Sequence, residues 1–454
     1  MNTQLIVSKF GGTSMADINC MRKCARIVAE NPNRRVVIVS ATSGTTDQLT
    51  KLCQNIGLLE KSEIIEKIQQ RHIKLAKELG TFGQSYPSVE DLSNELFEFV
   101  MKKEEINPAE RDYILSFGER FSSTIFAAVL RQMDEKVIWL DVRNILLTDD
   151  FFGKAEPQLE QIAHRAKEKL TPLLEEGKVV SQGFIGATID GKTTTLGRGG
   201  SDYSAALFAE ALSAKTLEIW TDVNGIFSTD PRIVKEAFPI PEVSFNEAAE
   251  LAIYGAKVLH PATLKAAIRK KTSVFIGKSM NPELGGTWIV EKPEFSPAIR
   301  GISFRNNQKL LTIHSLDMLH QFGFLSKVFE ILARYKISVD LVTTSEVNVA
   351  LTLDTGIKSD FNYPMLDAAI QELRGFCKLT FETDLALIAL VGNQLNQTAG
   401  ISSRIFQVLE EVNIRLICYG ASSHNICFLV KDHDAITTVE LLHQQFLGAE
   451  VSKT

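Results

Sequence analysis

Gln4-Leu-Ile-Val-Ser-Lys-Phe-Gly-Gly-Thr-Ser14 is the stretch from which the fold is read. The apolar run Gln4–Ser8 predicts a strand, and the glycine pair Gly11-Gly12 marks its end. Glycine lets the backbone approach a ligand closely and adopt φ > 0, so consecutive N–H groups around Gly11 and Gly12 can converge on an anion. Lys9 adds a movable positive charge. A strand, a glycine loop and a lysine are a phosphate site in outline. The stretch itself lacks G-x-x-x-x-G-K-[ST], so this is not a Walker A loop. A tight turn with a surface lysine is the plainer reading of the same residues.

The same rhythm continues outward. Arg35–Ser40, Lys178–Gln182 and Leu217–Thr221 are further short strand-like runs, and Ser204–Leu212 has a helical pattern. Strands alternating with helices predict an α/β domain, a largely parallel sheet covered on both faces. Residues from about 49 to 100 are polar with heptad-like apolar spacing, and read as a helical insertion beside that sheet. Prolines and charges cluster at Glu291–Pro297, which marks a boundary. Beyond it the chain repeats itself: Gly323 and Gly400 are separated by 77 positions, and the same offset pairs Leu311 with Ile388, Phe329 with Phe406, Ile337 with Ile414 and Ser345 with Ser422. A unit repeated in register is an internal duplication, so the last third holds two βαββ-type modules.

With 454 residues the chain is too long for one ordinary domain. A net charge of −6 argues against nucleic acid or an anionic membrane as partner. The N-terminus lacks a basic segment followed by a long apolar one, and no apolar run approaches the about 18 residues that span a bilayer. The six cysteines are scattered, and Cys20 and Cys24, one helical turn apart, make a poor metal site. Reduced thiols, no metal site and a cytoplasmic location are therefore expected.

A second segment carries chemistry: Thr193-Thr-Thr-Leu-Gly-Arg-Gly-Gly-Ser-Asp202. It is read as opening a helix at Tyr203, for which Ser201 or Asp202 would serve as N-cap. Arg198 in the same loop tips the reading toward a site, because a guanidinium suits bidentate capture of a carboxylate. Thr221-Asp-Val-Asn-Gly-Ile-Phe227 and Thr229-Asp-Pro-Arg232 follow, the first a turn by composition. Tyr254-Gly-Ala-Lys-Val-Leu-His-Pro261 places Lys257 near a helix start, and His260 there reads as a structural histidine. Phosphoryl transfer needs positive charge and alignment more than covalent help. A carboxylate nucleophile is already ionised at pH 7, so the lack of a paired catalytic histidine fits.

Together KFGGTS, TTLGRGGSD, WTDVNGIFSTDPR and YGAKVLHPATL resemble the aspartate kinase family in its lysine-sensitive, monofunctional form, over essentially the whole chain. The resemblance implies a three-layer α/β/α amino-acid-kinase domain at 1–292, with the insertion at about 49–100. It implies two interlocked α+β ACT modules at 298–383 and 384–454. It implies transfer of the γ-phosphoryl group of ATP, with Mg²⁺, to L-aspartate, the first step toward lysine, threonine and methionine. Lys9 and Lys257 would stabilise phosphate charge and Asp202 would organise them. Arg198 would clamp the α-carboxylate and Glu119 the α-ammonium, with Ser40, Thr46, Gly199, Gly200 and Ser201 completing the aspartate cradle. Lys9, Gly11, Gly12, Thr221, Asp222, Phe227, Asp230, Arg232, Lys257 and Val258 would line the ATP site. Mg²⁺ would bind mainly through the phosphates. Asp47, Phe117, Phe227 and Gln321 depart from the family's usual residues.

In the first module, Met318, Phe324, Leu325, Ser338, Val339, Asp340, Ser345 and Glu346 resemble an allosteric site for L-lysine. Asp340 and Glu346 would meet its two ammonium groups, backbone near Gly323 its carboxylate, and Met318, Phe324 and Val339 its alkyl stem; Leu325 also reads as module core. Threonine regulation, no regulation, a kinase for glutamate derivatives, carbamate or a nucleotide, and an inactive amino-acid sensor are the competing readings. Retention of Lys9, Arg198 and Asp202 speaks against the sensor, and the length against a fused homoserine dehydrogenase. ACT modules commonly pair across subunits, so a homodimer is expected, with a tetramer open.

Overall fold

The computed structural model describes residues 4–80, 87–133, 136–255, 259–319, 322–353 and 363–448. Lys257, Val258 and Gln321 therefore lie outside the described residues. The chain divides into two compact units, the first comprising Met1–Ile226, Pro239–Phe245 and Lys257–Glu294 and the second Phe227–Phe238, Asn246–Ala256 and Phe295–Thr454.

The first unit is built on eight strands. They are β1 (Ile6–Phe10), β2 (Arg34–Val39), β3 (Val137–Leu140), β4 (Lys178–Gln182), β7 (Thr216–Thr221), β8 (Glu242–Ser244), β9 (Ser273–Lys278) and β10 (Gly286–Val290), with β5 (Ile185–Ala187) and β6 (Thr193–Thr195) forming a separate hairpin. The sheet order is β3-β4-β2-β1-β7-β9-β10-β8. Strands β3 to β9 are parallel, β10 is antiparallel to β9, and β8 is parallel to β10. Val36–Val39 are wholly buried, as expected of a parallel strand covered on both faces. The chain leaves β1 for β2 on one side and β7 lies on the other. In open parallel sheets such a reversal of strand order leaves a crevice at the carboxyl ends, where ligands bind. Those ends are Phe10, Val39 and Thr221, from which the three functional loops depart.

Beneath that edge lies a buried polar node. Glu218 on β7 accepts from Ser8 Oγ at 2.9 Å, Arg34 Nε at 2.8 Å and Trp220 Nε1 at 2.9 Å. It ties the three central strands together opposite the face from which Lys9 projects.

The helical insertion consists of Thr45–Leu52, Leu58–Glu78 and Val89–Met101, resting on the long helix Pro108–Arg131. Ile64, Ile65, Ile68, His72, Leu75 and Ala76 form the buried stripe of Leu58–Glu78. Capping boxes start two of these helices, Ser88 with Asp91 and Asn107 with Glu110.

In the second unit the strands are β11 (Ile299–His314), β12 (Val339–Thr344), β13 (Asn348–Leu353), β14 (Lys378–Gly392), β15 (Leu416–Tyr419) and β16 (Asn425–Lys431), in the order β12-β13-β11-β14-β16-β15. The long strands β11 and β14 are broken at mid-length by Asn307 (φ 58°) and Asp384 (φ 57°), residue types that tolerate the left-handed region. Each half serves a different module. Lys378–Glu382 closes the first module, and Ile299–Arg305 pairs with Leu387–Gly392 as an outer strand of the second. The duplication holds in space: helices Phe324–Arg334 and Ile401–Val408 both follow a left-handed glycine, Gly323 (φ 82°) and Gly400 (φ 76°). Strand starts Val339 and Asn348 recur 77 positions later at Leu416 and Asn425.

The node under the site makes a clear test of the fold. Glu218→Gln leaves Arg34 an uncompensated, largely buried charge and should cost about 3 kcal/mol. Denaturant unfolding followed by tryptophan fluorescence reads this, and a loss below about 1 kcal/mol contradicts the arrangement.

Candidate active site

Lys9 reaches the site from the penultimate position of β1, nearly buried, with Nζ 2.6 Å from Asp202 Oδ1. Asp202 lies in the first turn of the helix Gly200–Ala211. That helix starts three residues before the predicted Tyr203, its N-cap is Gly199, and no side chain caps it. The plainer capping reading of Ser201 or Asp202 is thus set aside, and the Asp202 carboxylate holds the ammonium of Lys9. Helix N-terminal partial charge favours a carboxylate there as well.

The glycine pair works differently from expectation. Gly12 has φ −61°, and Gly11 N–H donates to Trp220 O at 3.0 Å, so Gly11 contributes no amide to an anion. Space constrains Gly12, where a Cβ would lie 3.2 Å from Ala41 O; at Gly11 a Cβ would make only ordinary contact, 3.5 Å from Lys9 Nζ.

Glu119 is fully buried in the helix Pro108–Arg131. Its Oε1 accepts from Ala41 N at 3.1 Å, while Oε2 is buried with no hydrogen-bond partner. Burial pushes this carboxyl up to about 8, against the smaller opposing pulls of the backbone N–H groups and of Lys9. Such a group is built for a cationic ligand, which would supply both the missing partner and the compensating charge. The loop after β2 is fastened to the same helix. Ser122 Oγ donates to Ser40 O at 2.6 Å, and a Cβ at Gly118 would meet that of Ala41 at 2.7 Å. Thr46 lies in the first turn of the next helix, and Asp47 beside it is exposed. Phe117 is wholly buried against Tyr113 and Phe121.

Arg198 is exposed between Gly197 (φ 74°) and Gly199 (φ 67°). A Cβ on Gly199 would lie 2.5 Å from that of His260, which explains glycine there. His260 itself caps the helix Pro261–Lys270, its Nδ1 accepting from Ala262 N, so the structural reading of this histidine holds. The Arg198 loop is also pinned by a residue the sequence reading missed. Asp112, wholly buried, accepts from Gly153 N at 2.8 Å, Thr195 N at 2.7 Å and Thr195 Oγ1 at 2.9 Å. Its spacing of two helical turns before Glu119 was the available signal.

Of the nucleotide-side residues, Thr221 and Asp222 follow β7 in the first unit, with Thr221 Oγ1 donating to Asp222 Oδ1. Phe227, Asp230 and Arg232 belong to the second unit, where Arg232 pairs with Asp230 at 2.6 Å and holds its carboxyl below the usual range. Among the described residues no cluster of three or more His, Cys, Asp or Glu is arranged to hold a metal, and no helix is long and apolar enough to cross a membrane.

In the first module, the reading of Leu325 as core is corrected. Phe324 is core, edge-on to Phe376, while Leu325 is exposed. The register of the helix that begins at Phe324 turns Phe324, Val328, Ile331 and Leu332 inward and Leu325 out. Asp340 lies near the start of β12 and Glu346 in the turn that joins β12 to β13. Asp340 is ion-paired with Arg305; Ser338, Ser345 and Glu346 are exposed, and Met318 and Val339 flank the module core.

Residues 4–278 match the amino acid kinase family and residues 388–446 match an ACT domain. The chain is 47% identical to lysine-sensitive aspartokinase 3 of Escherichia coli, covering 97% of this chain and 99% of that protein. It belongs to the aspartokinase family. Aspartokinase 1, chloroplastic, of Arabidopsis thaliana is 35% identical, over 97% of this chain and 80% of the relative. The fold matches E. coli aspartokinase III in complex with aspartate and ADP (R-state), with a TM-score of 0.87 and 46% identity over 98% of this chain and all of that one. It matches the lysine and aspartate complex (T-state) with a TM-score of 0.83, 46% identity and 97% and 99% coverage. The chain is accordingly a kinase, with an amino-acid-kinase α/β unit and a C-terminal ACT region.

Burial of the Glu119 carboxyl makes stability depend on pH. Its unfolded form ionises near the ordinary carboxyl value and its folded form near 8, so the penalty grows as pH rises from about 4.5 to 8. Glu119→Gln should therefore raise the melting temperature of the ligand-free protein at pH 8.5, by more than at pH 5. Thermal scans at both values check this, and a lower melting temperature at pH 8.5 contradicts it.

Proposed function

We propose that this chain transfers the γ-phosphoryl group of ATP to the side-chain carboxylate of L-aspartate, yielding ADP and 4-phospho-L-aspartate. The observation that carries this reading is the single unpartnered oxygen of buried Glu119, placed beside the Lys9–Asp202 pair. Glu119 takes the α-ammonium and Arg198 the α-carboxylate, which leaves the side-chain carboxylate pointed toward Lys9. An oxygen of that carboxylate attacks the γ-phosphorus, the bond to the ADP oxygen breaks, and no proton moves. Lys9 offsets the phosphoryl charge and Asp202 fixes its position; Lys257 is assigned the same task on sequence alone. Ser40, Thr46, Gly199, Gly200 and Ser201 shape the cradle. Thr221, Asp222, Phe227, Asp230, Arg232 and Val258 are assigned to the nucleotide. Ammonium groups suit phosphate oxygens, so Mg²⁺ enters on the phosphates.

The catalytic part is assigned to 1–292 and the ACT modules to 298–383 and 384–454, in a cytoplasmic enzyme of amino-acid synthesis. L-lysine is the assigned inhibitor, supported by 47% identity to a lysine-sensitive relative. A homodimer is assigned because ACT modules commonly pair across subunits, which would place the lysine site at a module interface.

Incubation with ATP, Mg²⁺, L-aspartate and hydroxylamine traps the acyl phosphate as a coloured hydroxamate. Aspartate-dependent colour, suppressed by L-lysine and lost by at least about a hundredfold in Lys9→Ala, is expected. Colour equal to that of Lys9→Ala contradicts the kinase reading, and colour that responds to threonine but not lysine contradicts the effector.

A further inference from the structure

The helical insertion carries a histidine that the chemistry above does not use. His72 is wholly buried in Leu58–Glu78, with Nδ1 2.7 Å from Ile68 O and Nε2 3.1 Å from Thr42 Oγ1. A carbonyl only accepts, so Nδ1 carries the proton. Burial pushes the imidazole down to about 4, and Nε2 is bare at neutral pH. Thr42 O–H then donates to Nε2, and Thr45 O–H, 2.6 Å away, donates to Thr42 Oγ1. Thr45 N also donates to Thr42 O at 3.0 Å. The ring stacks on Phe121 with centroids 4.5 Å apart, two residues beyond Glu119 on the long helix.

The loop Ser40–Thr46 is thus gripped from two sides. Glu119, Ser122 and Gly118 hold its first residues, and His72 holds its turn through Thr42 and Thr45. A core position among Ile65, Ile68 and Leu75 is better filled by an apolar side chain, because a buried imidazole loses its hydration. Every hydrogen-bonding atom of this one is spent on the loop or on its own helix.

We propose that His72 is a positioning residue for the aspartate site: its ring fixes Thr42 and Thr45, and so the conformation in which Ser40 and Thr46 meet substrate and the Ala41 N–H holds Glu119. This rests on the assignment of that loop and Glu119 to L-aspartate. The insertion then does more than cover one side of the helix Pro108–Arg131; it sets the geometry of substrate capture.

Steady-state kinetics test it. His72→Phe keeps the stack on Phe121 and removes the acceptor, and Thr42→Val removes the donor at nearly constant volume. Each should raise KM for aspartate about tenfold, with KM for ATP changed less than about twofold. The double variant should be no worse than the poorer single one, since both delete the same bond. Thr42→Ser, which keeps the hydroxyl, should stay within about threefold of the parent. A purely structural histidine predicts a lower melting temperature with an unchanged KM for aspartate, and that result overturns the proposal. If His72→Phe does not fold, the Val and Ser variants of Thr42 make the same comparison, and equal KM values for the two overturn it. Glu119→Gln separates the two levels. If it raises KM for aspartate and His72→Phe does not, only the role of His72 fails; if Glu119→Gln leaves KM unchanged, the aspartate assignment fails with it.

Discussion

A carboxylate held out of water with one oxygen unsatisfied is the constraint around which the catalytic unit is arranged. Glu119 lies in the middle of the 24-residue helix Pro108–Arg131, and nearly every residue around it on that helix is buried. A site this dry strengthens any interaction with a cationic ligand and makes the empty state expensive. The fold tolerates that expense because the strain is local. Strands β1, β2 and β7 are locked beneath it by the Glu218 node, and the loop that lends Glu119 its one hydrogen bond is anchored by Ser122 and the close approach of Gly118.

Phosphate chemistry is placed by a different device. Lys9 leaves the crevice end of a central parallel strand, and Asp202 meets it from the first turn of a helix that begins after a left-handed glycine. In the proposed reaction neither residue supplies a proton; both fix charge before the substrate arrives, which is how preorganised sites lower barriers. In the second unit, by contrast, the two modules share their long strands. A single break in each, at Asn307 and Asp384, lets one continuous chain segment belong to both. Shared strands couple the modules mechanically, since neither can shift its sheet without moving the other's edge.

Much of this was legible in the sequence because it is local. The strands Arg34–Val39 and Lys178–Gln182 follow from β-branched runs, and the 77-residue repeat predicts equivalent strand starts and helix-capping glycines in the two modules. Misreadings arose where several local rules compete. Asp202 looks like a cap, but the flanking glycines let the helix start earlier and free it for Lys9. Gly11 looks like an anion-binding amide, but its N–H belongs to Trp220 O. Phe324 and Leu325 exchanged roles because one residue of helical register decides which faces the core. His72 and Asp112 were passed over for another reason. Their partners Thr42 and Thr195 lie 30 and 83 positions away, and only the folded chain brings them together.

The account turns on Glu119 being protonated in the empty site and ionised when the α-ammonium of L-aspartate arrives. Calorimetric titration of L-aspartate into the protein at pH 7, in two buffers of different ionisation enthalpy, measures this directly. With a carboxyl near 8 in the free protein, about one proton should be released per aspartate bound. Binding with no proton released would contradict it, and would mean that the ammonium is met elsewhere.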